Sequence, residues 1–563
     1  MFGASAASIA LAACVASAPA IQEVSPFKGQ GDVAGDAPVT VGFDRAMDEA
    51  SVDSRLELRP AIDGCDTVVC PITWKGNTMS LSHSEHPFAG DTKYRVVIHA
   101  GYSDSAGSVN NVEHVWEFHT EPAPALRAST PSSGATGVAT DADLTLQFSR
   151  GLLPPAPGLV TLRAGEGAGA DVPYHLGLGG QDQSQVTIAP LQPLRPNTSY
   201  RLSVSENLAD IHHNRLGRRS DIDFITGDLD LTRSLGFAVL DNQGRPTRLA
   251  SLRPPTSLGA PPPTMRVLYT AADAITAWGW SSDARFLYVL QGDPAALVRV
   301  DLASGVASPI PVTAISMAPS PGRDEVAYVG PGGDLHLWST GGDIAVPQAG
   351  KVLAPPNWSD DGRRLGLVTE GVAGARLAII DRGTLSRYLV PGAEVELPGA
   401  MRWSHDGGNL AFVGAPRAAG IPEVWIYRAL AAEGPVLQDV APLPATSLAW
   451  SSDELTLFAS TAMNDPEGGV LQHAPARPAP GQDASFAPVR GSQPRDSSPI
   501  APSFDRRLAF LRPSGSEPPQ LWLINNDGTG LLQLTSDSYD VDSRLAARGV
   551  SMPAWAPGSA VRG

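Results

Sequence analysis

Three cysteines in 563 residues are too few for a disulfide-dense scaffold in which covalent staples replace a core. Aromatic residues supply only 6% of the chain and charged residues 18%. Basic side chains are the scarcer sign, 41 Lys and Arg against 58 Asp and Glu, for a net charge of −17. The acidic excess is spread rather than clustered, which argues against nucleic acid and anionic lipid headgroups as main partners. Beyond the first twenty residues no apolar run approaches the roughly 18 residues of a membrane-spanning helix. Long amphipathic helical stretches are also scarce, and there is no Gly-x-Ser-x-Gly elbow of the kind that presents a hydrolase nucleophile. No cofactor is expected.

What is abundant is glycine and proline, 57 and 51 residues, in a chain roughly four times a typical domain length. Several domains of short strands joined by many turns follow from this, an all-β expectation.

Ala4 to Ala13 form a small-residue and apolar run too short to span a bilayer but adequate for the core of a signal peptide. It ends in Leu11-Ala12-Ala13-Cys14, with no Lys or Arg before it. That ending resembles the lipobox of bacterial lipoproteins, and the resemblance implies a signal peptide over 1–14, acylation of Cys14 and a lipid anchor in one leaflet as the membrane contact. Plain secretion and a cytosolic chain are the alternatives. Residues 15–24 read as a linker. The remaining thiols, Cys65 and Cys70, stand five positions apart beside the turn-prone Ala61-Ile62-Asp63-Gly64. In an exported chain they read as a local disulfide worth about 2 kcal/mol on the chain-entropy model. Free thiols and a metal pair are the alternatives.

The chain repeats itself. Pro26, Val33, Val39, Val41 and Phe43 recur as Pro131, Val138, Leu144, Leu146 and Phe148, each 105 later; Tyr94, Asp104, Phe118 and Thr120 recur as Tyr200, Asp210, Phe224 and Thr226, each 106 later. Apolar residues alternate within both copies, as in 39–43 and 144–148, the period of a half-buried strand, and several such runs in about 100 residues suit a β-sandwich. The run 41–48, Gly90-Asp91-Thr92-Lys93-Tyr94-Arg95-Val96, Asp104-Ser105-Ala106-Gly107 and Trp116-Glu117-Phe118-His119-Thr120 resemble the bacterial Ig-like domain of the S-layer SbsA type. The second copy keeps Pro196-Asn197-Thr198-Ser199-Tyr200 and Phe224-Ile225-Thr226 but has Ile211-His212-His213-Asn214 where the family has small residues. The resemblance implies sandwiches over 25–121 and 130–227, joined by a linker at 122–129, acting as spacers. His83, Glu85 and His86, with His99 as a third partner, are the one dense ligand-like cluster. Zinc would need them to converge, and a solvated loop is the simpler reading. Asp104 and Asp210 read as turn-stabilising side chains.

From 228 onward a second unit recurs. An aromatic or Pro followed by small polar residues and Asp or Gly appears at Trp280, Pro319, Trp358, Trp403, Trp450, Phe504 and Trp555. Apolar strands follow, such as Leu287-Tyr288-Val289 with Leu297-Val298-Arg299-Val300, and Leu455-Thr456-Leu457-Phe458 with Val470-Leu471. A period near 40–50 residues marks a β-propeller. The pattern resembles the WD40-like repeat of the TolB and prolyl-oligopeptidase propellers. Six units are complete. The strand at Trp555 can finish a further blade begun at 237–252, giving seven blades, with six as the alternative. The Pro-rich segments 253–263 and 474–502 read as loops. Asp283, Asp361, Asp406 and Asp453 read as turn residues and the tryptophans as packing between blades, not as a catalytic or cation-binding ring.

The expectation is a non-enzymatic cell-envelope lipoprotein, outer-membrane and facing either the periplasm or the surface. Two Ig-like spacers would present a propeller that binds a protein or glycan. No catalytic or metal residues are assigned. The alternative is a propeller-type hydrolase or peptidase-related enzyme.

Overall fold

The computed structural model describes residues 17–65, 68–165, 169–256, 263–372, 374–396, 400–415, 420–429, 435–461, 470–477, 485–515, 517–536 and 549–558. Cys14 and its surroundings lie outside the described residues.

The first sandwich sets the sheet Ile21–Ser25, Val39–Phe43, Thr78–Leu81, Ile72–Lys75 against the sheet Leu56–Arg59, Lys93–Ile98, His114–His119. The alternation fixes the inward set: Val39, Val41 and Phe43 meet Tyr94, Val96 and Ile98, none more than 3% exposed. The second sandwich repeats the arrangement, with Leu144, Leu146 and Phe148 packed against Tyr200, Leu202 and Val204. The offset seen in the sequence holds down to single hydrogen bonds. Tyr94 Oη accepts from the Ala89 amide at 2.9 Å and Tyr200 Oη from the Arg195 amide at 2.7 Å. Asp104 accepts the amides of Ala106 and Ser108, and Asp210 those of His212 and Asn214, so both close their turns on backbone N–H groups. Cys65 and Cys70 are joined as a disulfide with their Cα atoms 5.4 Å apart, and Cys70 lies in the first core.

One expectation holds only in part. Glu85 is exposed and His86 partly so, but His83 is buried, its Nε2 2.8 Å from the Ala37 carbonyl and its Nδ1 3.1 Å from that of His86. His99 lies instead between Glu57 and Glu113. Among the described residues no three His, Cys, Asp or Glu side chains form a set that could hold a metal.

From Leu235 to Trp555 the described residues form seven four-stranded antiparallel sheets, each a meander in chain order except one. The exception joins Leu235–Leu240, Pro246–Leu252 and Arg266–Thr270 to the distant Val550–Trp555, which pairs with Leu235–Leu240. Each innermost strand touches those of the sheets on either side, from Ile275–Trp280 round to Val550–Trp555 and back to Ile275–Trp280. The sheets are therefore blades of a closed ring that leaves no open edge between blades.

Three local expectations are corrected. Ala501, not Phe504, occupies the tryptophan place of its blade, because Leu508 begins the buried strand seven residues later, as Leu457 does after Trp450. The strand expected at Val470-Leu471 begins at Gln472. The segment 474–502 contributes Ala487–Pro488 and Ser497–Ile500 to two blades, where outer-edge exposure and prolines hide the strand pattern.

The units are joined through buried polar nodes. Glu121, 3% exposed, receives His212 at 2.6 Å, the Asn214 side-chain amide at 2.7 Å, and Arg150. A Cβ on Gly35 would fall 2.2 Å from Asn214 Oδ1, so only glycine permits this approach. The segment 211–214, where the second copy departs from the first, is thus the surface on which the copies meet. At the next junction Arg266, 2% exposed, donates to Asp143 at 2.6 Å and to the carbonyls of Asp141, Ala142 and Pro190. Arg253 pairs with Asp141 at 2.8 Å beside it. Four acceptors on one guanidinium offset the cost of burying its charge.

Candidate binding face of the propeller

A blade of four antiparallel strands puts its first and third turns on one face of the ring and its remaining connections on the other. The first turns carry the Trp-Ser-x-Asp motif. Ser281, Ser359, Ser404 and Ser451 each donate to the Asp two residues on, at 2.6–2.7 Å. Each serine oxygen also accepts the amide five residues on, at 2.9–3.0 Å. The aspartates in turn accept the amides of Arg285, Arg363, Gly408 and Leu455. Asp453 is held below the usual carboxylate range by Ser451 first and the Leu455 amide second. The recurring acids are spent on their own turns, as the sequence suggested, and form no free ring of ligands.

The tryptophans stitch blade to blade. Trp358, Trp403 and Trp450 donate to the carbonyls of Ala318, Asn357 and Arg402 at 3.0, 3.1 and 2.9 Å, and Trp280 to Ala554 at 3.2 Å across the closure. Where Pro319 replaces the tryptophan, Gly279 leaves room for its ring: a Cβ there would lie 2.9 Å from the proline Cγ. Between turns, His405 Nδ1 meets Asp360 at 2.8 Å, and Glu454 Oε1 accepts the Asp406 amide at 2.6 Å. This face is closely cross-linked.

The opposite face carries connections such as 346–356 and 489–496. It holds a recess of about 310 Å³ between residues 332–336 and 345–351. His336 lines it, 2.9 Å from both Asp334 and Asp343 and stacked at 5.0 Å on Tyr328. Burial first, then the neighbouring Asp343, pushes the Tyr328 hydroxyl well above its ordinary pKa. Lys351 stands at the rim, 3.7 Å from Glu370. The arrangement offers donors, acceptors and a flat ring to a ligand. Sequence reading missed this recess because His336 and Lys351 belong to no motif; only the turn-prone Pro331-Gly332-Gly333 marks the place.

Arg266 fixes the orientation. It begins the outer strand of its blade at the end where Leu235 pairs with Trp555, which is the turn face. The second sandwich is therefore attached beside the turn face, and the loop face is turned away from it.

The sequence model of the bacterial Ig-like domain matches residues 15–120 and 121–226. Both segments are bacterial Ig-like domains. The remainder has propeller neighbours among solved structures. TolB from Acinetobacter baumannii is 13% identical with a TM-score of 0.35, covering 65% of this chain and 81% of that one. A nidogen/laminin complex chain gives 11%, 0.33, 57% and 98%, and a prolyl endopeptidase 14%, 0.38, 54% and 48%. At these scores they are likenesses only; the closed ring of sheets makes the propeller. Comparison with curated proteins finds no match.

Proposed function

We propose that the chain is a non-enzymatic binding protein of the bacterial cell envelope, lipid-anchored at Cys14, in which two Ig-like domains hold a propeller that captures a protein or glycan. The observation that carries this reading is the placement of Arg266: the sandwich joins beside the cross-linked turn face and leaves the irregular loop face unobstructed. Loops held on a rigid ring are a usual place for recognition. The recess at His336 is the site we assign to that contact.

The test is capture of envelope components by the full chain. Asp334→Ala with Lys351→Ala on the loop face should lose the specific partner, while Arg285→Ala on the turn face should keep it. Loss with Arg285→Ala alone would place the contact on the wrong face. A hydrolase activity that copurifies and disappears on one Ser or Asp substitution would replace the binding role with catalysis.

A further inference from the structure

The two Ig-like copies share a fold but not a surface. In the first, the outward face of the sheet Leu56–Arg59, Lys93–Ile98, His114–His119 carries Arg59, Lys93, Arg95, Glu117 and His119. The register sets Arg59 directly opposite Arg95, and Arg95 opposite Glu117. Like charges across a strand pair are unfavourable, so the fold gains nothing from that placement. Lys28 joins them from the adjoining segment, where the Gly29 amide donates to the Glu117 carbonyl at 2.7 Å. Lys28, Lys93, Arg95, Glu117 and His119 are among the residues that line an open recess of about 630 Å³.

The acids on and near this face engage only part of its cations. Glu117 is taken by Lys93 at 2.7 Å, and Glu57 is held by Arg59 and His99. Asp91 stands 3.6 Å from His119. Neither Arg95 nor Lys28 has a carboxylate within 4.0 Å among the described residues. Lys93 chiefly, with Arg95 and Lys28 adding their fields, holds the Glu117 carboxyl below its ordinary range, so several cations converge on one anion.

The second copy is an internal control. Its residues at the places of Lys28, Lys93 and His119 are Ser133, Ser199 and Ile225, and the Gly134 amide makes the equivalent bond to the Asp223 carbonyl at 2.6 Å. The second copy keeps the arginine pair, Arg163 opposite Arg201, but closes both off, Arg163 on Asp171 at 2.8 Å and Arg201 on Asp223 at 2.7 and 3.0 Å. An Ig-like domain of this type therefore folds without cations at the places of Lys28 and Lys93 and with its arginines paired.

We propose that the recess bounded by Lys28, Lys93, Arg95 and His119 binds a carboxylate-bearing polysaccharide. Cations two residues apart on a strand are roughly 7 Å apart and those on neighbouring strands roughly 5 Å. That grid suits charges strung along a chain of sugar rings. The first 120 residues carry seven Lys and Arg against fifteen Asp and Glu. Four of the seven lie on this face. An acidic surround within a Debye length opposes a broad, densely charged surface such as a duplex or a membrane, but not a single narrow chain. The first domain is then a second binding module as well as a spacer, independent of the propeller contact.

The test uses the full chain and polygalacturonate as probe, with dextran, phosphatidylglycerol vesicles and duplex DNA alongside. Wild type should bind polygalacturonate but not dextran, and less tightly as salt rises. Transplanting the second copy's residues, Lys28→Ser, Lys93→Ser and His119→Ile together, should weaken binding on the order of ten-fold or more. Those residues already serve the same fold, and an unchanged thermal transition checks the variant. Partner capture through the propeller should survive the triple substitution, so the two readings fail separately. Equal binding by wild type and variant, no binding by wild type, or preference for vesicles or DNA would each overturn the proposal.

Discussion

The indole nitrogen of Trp403 donates to the main-chain carbonyl of Asn357, 3.1 Å away and one blade back. The ring is buried, at 1% exposure, so the residue both fills a joint and ties it to a main-chain carbonyl of the neighbouring blade. Trp403→Phe keeps most of the volume and should cost about 1 kcal/mol for the lost bond. Trp403→Ala should cost about 3–5 kcal/mol through the cavity as well. Urea unfolding of the propeller transition separates the two. Equal losses in both variants would mean that the bond, not the packing, dominates.

The same residue shows why the ring was legible before the structure. Four of the seven sheets close a tight turn with Ser and Asp and wedge a tryptophan against the neighbour, so the motif recurs at blade spacing. Where the wedge is Ala501, the nearest aromatic, Phe504, drew the register three residues off. Outer strands such as Gly342–Ala345, exposed at every position, carry no alternation because only one edge is paired and no side is buried. Arg266 was invisible for another reason. Its acceptors lie 76 to 125 residues away, and nothing local distinguishes a buried arginine from a surface one.

Removing Arg266 should loosen the joint between the second sandwich and the propeller. Arg266→Ala takes one donor from three carbonyls and from Asp143, which is partly exposed and keeps Thr264, at a cost of about 1–3 kcal/mol. Arg266→Lys should recover little, since an ammonium lacks the planar fork that reaches several acceptors. Limited proteolysis should show new cleavage between 250 and 266, and small-angle scattering a broader distance distribution. A variant as resistant and as compact as wild type would show that the joint is held elsewhere.

Oxidation state can be read directly at Cys65 and Cys70. Both should resist alkylation in the native protein and label after reduction. Reduction should lower the stability of the first sandwich by about 2 kcal/mol, the loop being short. Quantitative labelling without reductant is the result that contradicts a disulfide.

The anchor reading makes a separate claim on Cys14. Cys14→Ala should move the protein from the membrane fraction to the soluble one and remove acyl mass from its N-terminal peptide. A variant that stays in the membrane fraction with an unchanged N-terminal peptide mass would overturn lipid attachment at Cys14.

Glu57 and His99, 2.8 Å apart on the first sandwich, should give that domain a shallow pH optimum. Arg59 first and His99 second pull the Glu57 pKa from 4.5 down to about 2. Its contribution is therefore complete above pH 4.5 and fades as pH falls toward 2. His99 is shifted the other way, raised from 6.5 by Glu57 first and Glu113 second. Its contribution is complete below pH 6.5 and fades as pH rises through the raised value. The two windows overlap between about pH 4.5 and 6.5, where the pair should stabilise most. Both side chains are exposed, so the effect is small and is best read by titration. In wild type the His99 ring should titrate above 6.5 by NMR, and Glu57→Gln should bring it down toward that value while flattening the acid limb of the stability profile. If the His99 titration does not move in Glu57→Gln, Glu113 alone sets it and the optimum should disappear with Glu113→Gln instead.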